Sequence, residues 1–388
     1  MRYSILLFLG FLLLVSSFGA GFASATVITR HLNPRVQGTA TFDLFWEAWN
    51  LVEKEFYGEL PTDTGVTYGA IRGSLVALDD PYTLFVEPQP REMERDSLRG
   101  SFGGIGAYIS QDDDGEFFLS PLEGQPAVQA GILEGDILLA VDGRQVTGEM
   151  TVNDVVLIIR GPVGEEVVLT VRHPAAEEPV DVAITRAIIE LPSATWRLLE
   201  QDPSIGYIQL ARFTERTGQE IQEALEELQA AGADMLILDL RDNGGGLLQA
   251  AVDVADQFLD GGIVLYEIKA DEEEKTFRAG RGGIAIDQPL VVLMNGRTAS
   301  ASEIVAGALN DRERATLIGE TTFGKGSVQR IHDLSDGSSL HVTSARWYTP
   351  NRHQLDGEGL VPDLEVAQDE SDDDAQLARA VEFLQNGE

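Results

Sequence analysis

The chain has 388 residues, 43% of them hydrophobic, with a formal net charge of -36 and no cysteine. So large an acidic excess excludes nucleic-acid phosphate as a partner over most of the surface and reads most simply as a device for solubility. The lack of cysteine excludes disulfides, thiolate metal sites, cysteine nucleophiles and a lipid anchor on cysteine, and with five histidines and no HExxH pair neither a metal nor any other cofactor is expected.

Arg2 precedes an apolar stretch, Ile5 to Val15, and small residues ending Ala23-Ser24-Ala25. Residues 1–25 have the pattern of an export segment with cleavage after Ala25. The stretch from Tyr3 to Ala23 is also long enough to stay as a membrane anchor. Either outcome puts the rest of the chain outside the cytoplasm. Residues 39–98 read as helical: Phe42, Phe45, Trp46, Trp49 and Val52 recur at three- and four-residue spacing, as on one buried helix face. Residues 99–187 change texture, with short apolar runs between glycines and acidic turns, which predicts a small β-rich module. Within it Gln125 to Ile132 forms a short helix closed by Gly131.

Residues 188–364 alternate strand and helix. Strands are predicted at 205–210, 235–240 and 290–294, and helices at 217–231, 247–259 and 300–309, implying an α/β core with a mostly parallel sheet. Residues 365–388 hold a solvated acidic run, Asp369 to Asp374, and a terminal helix from Ala375. The fold class is therefore multidomain α/β: a helical N-terminal segment, an inserted β-rich domain and an α/β core.

Lysine is scarce: Lys54, Lys269, Lys275 and Lys325 are the only ones. Lys325 stands among small, uncharged residues in Thr322-Phe323-Gly324-Lys325-Gly326-Ser327. Lysine, unlike arginine, can lose its proton when desolvated, so this position suggests proton transfer. The run from Gly319 to Lys325 resembles a phosphate-binding loop, but Gly326 replaces the required serine or threonine and a strand follows instead of a helix. Ser300 follows a buried strand and a tight turn and opens a helix, beside unpaired amides suited to an oxyanion, that of Ala301 first. The same serine could simply cap the helix. Gly244-Gly245-Gly246 also lies between strand and helix, where glycine permits close backbone approach or merely a tight turn. If residues 325–329 are extended, Lys325 and Gln329 share a face, and the amide could orient the amine without adding charge. His332, His341 and His353 read as surface or strand residues.

These segments together resemble the carboxyl-terminal processing (tail-specific) serine protease family, from about Phe42 to Leu384. The pieces that carry the resemblance are Leu238 to Gly246, Thr298 to Ile304 and Gly324 to Gln329. The resemblance implies Ser300 as nucleophile, Lys325 as general base, Gln329 as its orienting residue, and an oxyanion hole from the Ala301 amide and one of Gly245 and Gly246. The middle module resembles a PDZ domain, whose carboxylate-binding loop would be Gly103-Gly104-Ile105-Gly106-Ala107. PDZ domains take an extended peptide as an added strand and hold its terminal carboxylate on backbone amides. The expected partners are proteins or peptides with apolar C-termini; a homo-oligomer and membrane anchoring are compatible with the sequence. Two rival readings stand beside this one: an inert scaffold that binds tails, and a serine hydrolase that uses histidine.

Overall fold

The computed structural model describes residues 39–174, 176–368 and 374–387. The export segment lies outside them, as do residues 369–373 of the acidic run. The chain divides into two compact units, Met1–Ala70 and Ile71–Glu388. In the first, the Thr39–Glu55 helix carries the aromatic stripe. Phe42 and Trp46 are 56% and 51% exposed, which corrects the expectation of a buried face. Their rings pack instead on each other and on Phe45, at centroid separations of 5.1–6.4 Å. No helix among the described residues is long and apolar enough to cross a membrane.

In the second unit, the Pro88–Arg99 helix ends on Gly100, whose φ of 76° closes it in the left-handed conformation. The Ser101–Gly104 strand then pairs antiparallel with Ala187–Glu190. This two-stranded ribbon leads both into and out of the β-rich module. The module's sheet runs Ala107–Gln111, Phe117–Pro121, Asp136–Val141, Glu166–Arg172, Val180–Thr185, all antiparallel. Glu166–Arg172 alternates buried and half-buried positions, as a strand with one covered face must. The Val152–Ile159 helix, capped by Thr151 and Asp154, packs Val155 and Ile159 into the module's core with Leu119 and Leu169. Arg160 ends this helix with its guanidinium 3.6 Å from the Phe102 ring centroid, on the ribbon.

The core sheet has the order Ala194–Leu198, Ile205–Leu210, Met235–Asp239, Leu290–Met294, Thr316–Gly319, Leu364–Glu365. Only its first pair is antiparallel. Leu290–Met294 is buried throughout, because helices cover both faces. Leu236 and Leu238 face the Thr217–Ala230, Leu248–Phe258 and Ala301–Asp311 helices; Ile237 faces the Ala375–Asn386 helix. The alternation reading did not foresee a second, antiparallel sheet. It joins Leu84–Val86, Gly262–Lys269, Glu274–Ala279, Ser327–Asp333 and the long Ser339–Tyr348 strand.

Arg241 fastens the terminal helix. It donates to Asp239 Oδ2 at 2.6 Å and to both carboxylate oxygens of Asp374, at 2.7 and 2.8 Å. Asp374 in turn caps the Leu377 N–H. This acidic residue is thus paired and not merely solvated. Arg241→Ala would leave Asp239, 1% exposed, with the Tyr207 hydroxyl as its remaining side-chain partner. We expect a loss of about 3 kcal/mol, read as a lower urea midpoint at unchanged m-value.

Candidate active site

Two strand-to-helix loops at the carboxyl edge of the parallel sheet face one another. Asn243, 0% exposed, joins them. Its side chain donates to the Leu210 carbonyl at 2.7 Å and accepts the Gly245 N–H at 2.9 Å. Its own carbonyl accepts the Ala299 N–H at 3.0 Å and the Ser302 hydroxyl at 2.9 Å. Ser302 is therefore a buried strut between the loops. Gly245 has φ 99°, and a Cβ there would lie 2.9 Å from Ser300 Cβ and 3.0 Å from the Ala301 nitrogen. Only glycine lets the loops come this close.

Ser300 is the N-cap of the Ala301–Asp311 helix, which begins one residue later than the predicted start at Ser300. Its φ of 58° and ψ of -115° are costly for a residue with a side chain. Such strain is what a sharp strand-to-helix turn imposes on a residue presented outward. Its N–H is held by Glu303 Oε2 at 2.7 Å, the reverse half of a capping box.

Lys325 arrives from the other side. It precedes the Ser327–Asp333 strand, whose pairing with Ser339–Tyr348 slips between Val328 and Gln329. The even alternation expected from Lys325 to Gln329 is broken by that irregularity. The Lys325 amine lies 5.1 Å from the Tyr82 ring centroid. Burial pushes its pKa below the ordinary lysine value, against the smaller opposing pull of the Glu303 and Glu94 carboxylates. The Gln329 amide donates to Ser327 Oγ at 2.7 Å, and no hydrogen bond joins it to Lys325 among the described residues.

Ser300, Ala301, Lys325, Gln329, Gly244 and Gly246 line a single cleft of about 290 Å³. Gly245 supports it from behind, with its N–H already used by Asn243. The remaining walls are largely apolar, from Leu98, Leu247, Ile304, Val328 and Trp347. Among the described residues no group of three or more histidine, cysteine or acidic side chains is arranged to hold a metal.

Two cleft-lining residues, Glu94 and His341, and two neighbours of Lys325 behind the lining, Glu303 and Tyr82, are not marked by the sequence as parts of the site. Glu303 was legible only as a capping partner. Tyr82 is set by its turn, where Asp80 accepts from the Tyr82 N–H and the Thr83 hydroxyl. Glu94 comes from the Pro88–Arg99 helix and meets His341 Nε2 at 3.2 Å. His341, expected as an ordinary strand residue, is 8% exposed and faces the cleft. The predicted carboxylate loop lies apart from all of these. Its Ile105 is buried, with Ile105 and Gly106 carbonyls accepting from Ala127 and Leu122 at 2.8 and 2.9 Å.

Residues 204–366 match peptidase family S41, and residues 117–173 match the PDZ domain. The carboxy-terminal-processing protease of Bartonella bacilliformis is 39% identical over 317 residues, 80% of this chain and 72% of the relative. The carboxyl-terminal-processing protease of Synechocystis sp. is 36% identical over 87% of this chain and 82% of its own length. Among solved structures, the photosystem II D1 C-terminal processing protease is 34% identical, with a TM-score of 0.49, over 82% of this chain and 86% of that one. The cleft therefore sits in a chain that belongs to peptidase family S41: it is a serine-type peptidase with a PDZ domain.

Proposed function

We propose that the protein is an exported endopeptidase that cleaves proteins near their C-terminal tails with a Ser300–Lys325 dyad. The observation that carries this reading is the cleft itself. It brings a strained serine at a helix start together with a lysine whose pKa is pushed down by burial. The Ser300 hydroxyl attacks the scissile carbonyl and passes its proton to neutral Lys325. The oxyanion is met by the Ala301 N–H and by the Gly246 N–H, since Gly245's is taken by Asn243. Lys325 returns the proton to the leaving amine, then deprotonates the water that releases the acyl group. Gln329 offers the amine an uncharged amide from the same cleft wall. The apolar lining suits an apolar substrate side chain.

The PDZ region supports recognition of tails. Its Gly104-Ile105-Gly106-Ala107 loop leads into the Ala107–Gln111 strand, the edge of its sheet. A peptide added there would place its carboxylate at the loop. The N-terminal export pattern supports an extracytoplasmic site of action. The histidine reading keeps one supporting observation, His341 in the cleft; its imidazole is already engaged by Glu94 and Ser339.

Ser300→Ala and Lys325→Ala are each expected to abolish cleavage of a model protein, and the double variant to be little worse than either single one. Lys325→Arg is expected to be as inactive as alanine, because arginine keeps its proton. Activity of the wild type should rise with pH through an acidic limb lying below the usual lysine range, where Lys325 becomes neutral. A comparable loss in His341→Ala, with Lys325→Ala still active, would establish the histidine mechanism instead.

Gly245→Ala places a methyl group against Ser300 and the Ala301 amide. It should lower kcat by about a hundredfold or more, with an unchanged circular dichroism spectrum.

Recognition of the tail is tested by competition between two substrates identical except for an amidated C-terminus. Below saturation, the free carboxylate should be cleaved several times faster. Equal rates would remove the loop from recognition.

A further inference from the structure

The Glu303 side chain does more than cap a helix. The residue is 0% exposed, and a carboxylate buried so deeply is costly unless its oxygens are fully hydrogen-bonded. Oε2 accepts the Ser300 N–H at 2.7 Å and the Lys325 N–H at 3.0 Å. Oε1 accepts the Gly324 N–H at 2.7 Å and the Thr322 hydroxyl at 2.5 Å. Thr322 Oγ accepts in turn from the Leu360 N–H at 2.7 Å. A capping box needs only the first of these contacts. The other three reach a segment about 20 residues further along the chain.

We propose that Glu303 is a positioning residue that sets the spacing between the Ser300 turn and the Lys325 loop, holding nucleophile and base in register before a substrate binds. The inference rests on the dyad reading above. Because one oxygen takes both backbone amides, the Ser300 and Lys325 nitrogens lie within roughly 6 Å of each other. No chain connection between the segments could enforce that. The arrangement also handles a conflict of charge. A carboxylate beside the base raises the base's affinity for a proton, which opposes catalysis. Here the carboxylate spends its oxygens on main-chain amides and a hydroxyl, and burial of Lys325 still prevails.

The other titratable groups around Lys325 come from separate elements. Tyr82 lies under the amine, and Glu94 and His341 line the cleft. Asp356 packs against Gly326 and pairs with Arg346. Removing the Glu303 charge leaves all of these in place.

The test measures the rate at which a fluorophosphonate probe labels Ser300 across pH, alongside kcat and KM for a peptide. Glu303→Gln keeps the size and one acceptor oxygen but turns an NH2 group toward two donors. Labelling and kcat should both fall by about tenfold or more, while KM changes less than about threefold. The acidic limb should move to lower pH, because the charge that raised the Lys325 pKa is gone; a loss of packing alone would not move it that way. Thr322→Val should slow labelling with the limb in place, and Thr322→Ser should restore it. Wild-type labelling with an unmoved limb in Glu303→Gln overturns the proposal. If that variant does not fold, equal labelling of Thr322→Val and wild type overturns it. Undiminished labelling of Ser300→Ala would instead overturn the dyad reading, and the proposal with it.

Discussion

The site depends on the closeness of two backbone turns, and a single buried amide enforces it. Asn243 ties the glycine loop to the Leu210 carbonyl and to the Ser300 turn at once. An unpaired amide at 0% exposure would cost more than a typical hydrogen bond contributes, so all its partners must be satisfied together. That makes the geometry all-or-none. The glycine at 245 follows from it, since a Cβ there would occupy the space the turn needs.

The second constraint is electrostatic. Lysine is useful as a base only where its charged form is destabilised. The site achieves this with apolar walls and a tyrosine ring, in a molecule otherwise rich in carboxylates. The Glu94 and Glu303 carboxylates pull the other way and are each occupied: Glu94 by His341 and Arg91, Glu303 by the loops it joins. A bare carboxylate in either place would pull the lysine's pKa back up. The extreme surface charge and the protected interior of the cleft are therefore kept apart by burial.

Some of this is legible in the sequence. Apolar runs such as Leu290 to Met294, buried on both faces, announce parallel strands, and glycine-rich turns after them mark the sheet's carboxyl edge. The antiparallel sheet is not legible. Its strands come from segments as distant as Leu84 and Tyr348, and no local pattern records such a pairing. Periodicity in the Thr39–Glu55 helix reports an amphipathic face but not what covers it, and Phe42 and Trp46 are exposed. The Ser300…Glu303 spacing reads as a cap because that half of the contact is local. The half that reaches Gly324 and Lys325 is tertiary. His341 looks ordinary because nothing beside it in sequence predicts Glu94.

The ribbon of Ser101–Gly104 and Ala187–Glu190 has a topological consequence. Ser101 pairs with Glu190 and Gly104 with Ala187, so the chain leaves the catalytic body and returns to it at almost the same point. Paired residues in an antiparallel ladder are about 5 Å apart, a gap that a short turn can span. Closing so small a gap carries little entropic cost compared with the long loop it replaces. The PDZ region is thus attached like a cassette: the catalytic sheet's own contacts do not run through it. Insertions, deletions or exchanges within that cassette can therefore be accommodated without shifting the strand register of the core sheet.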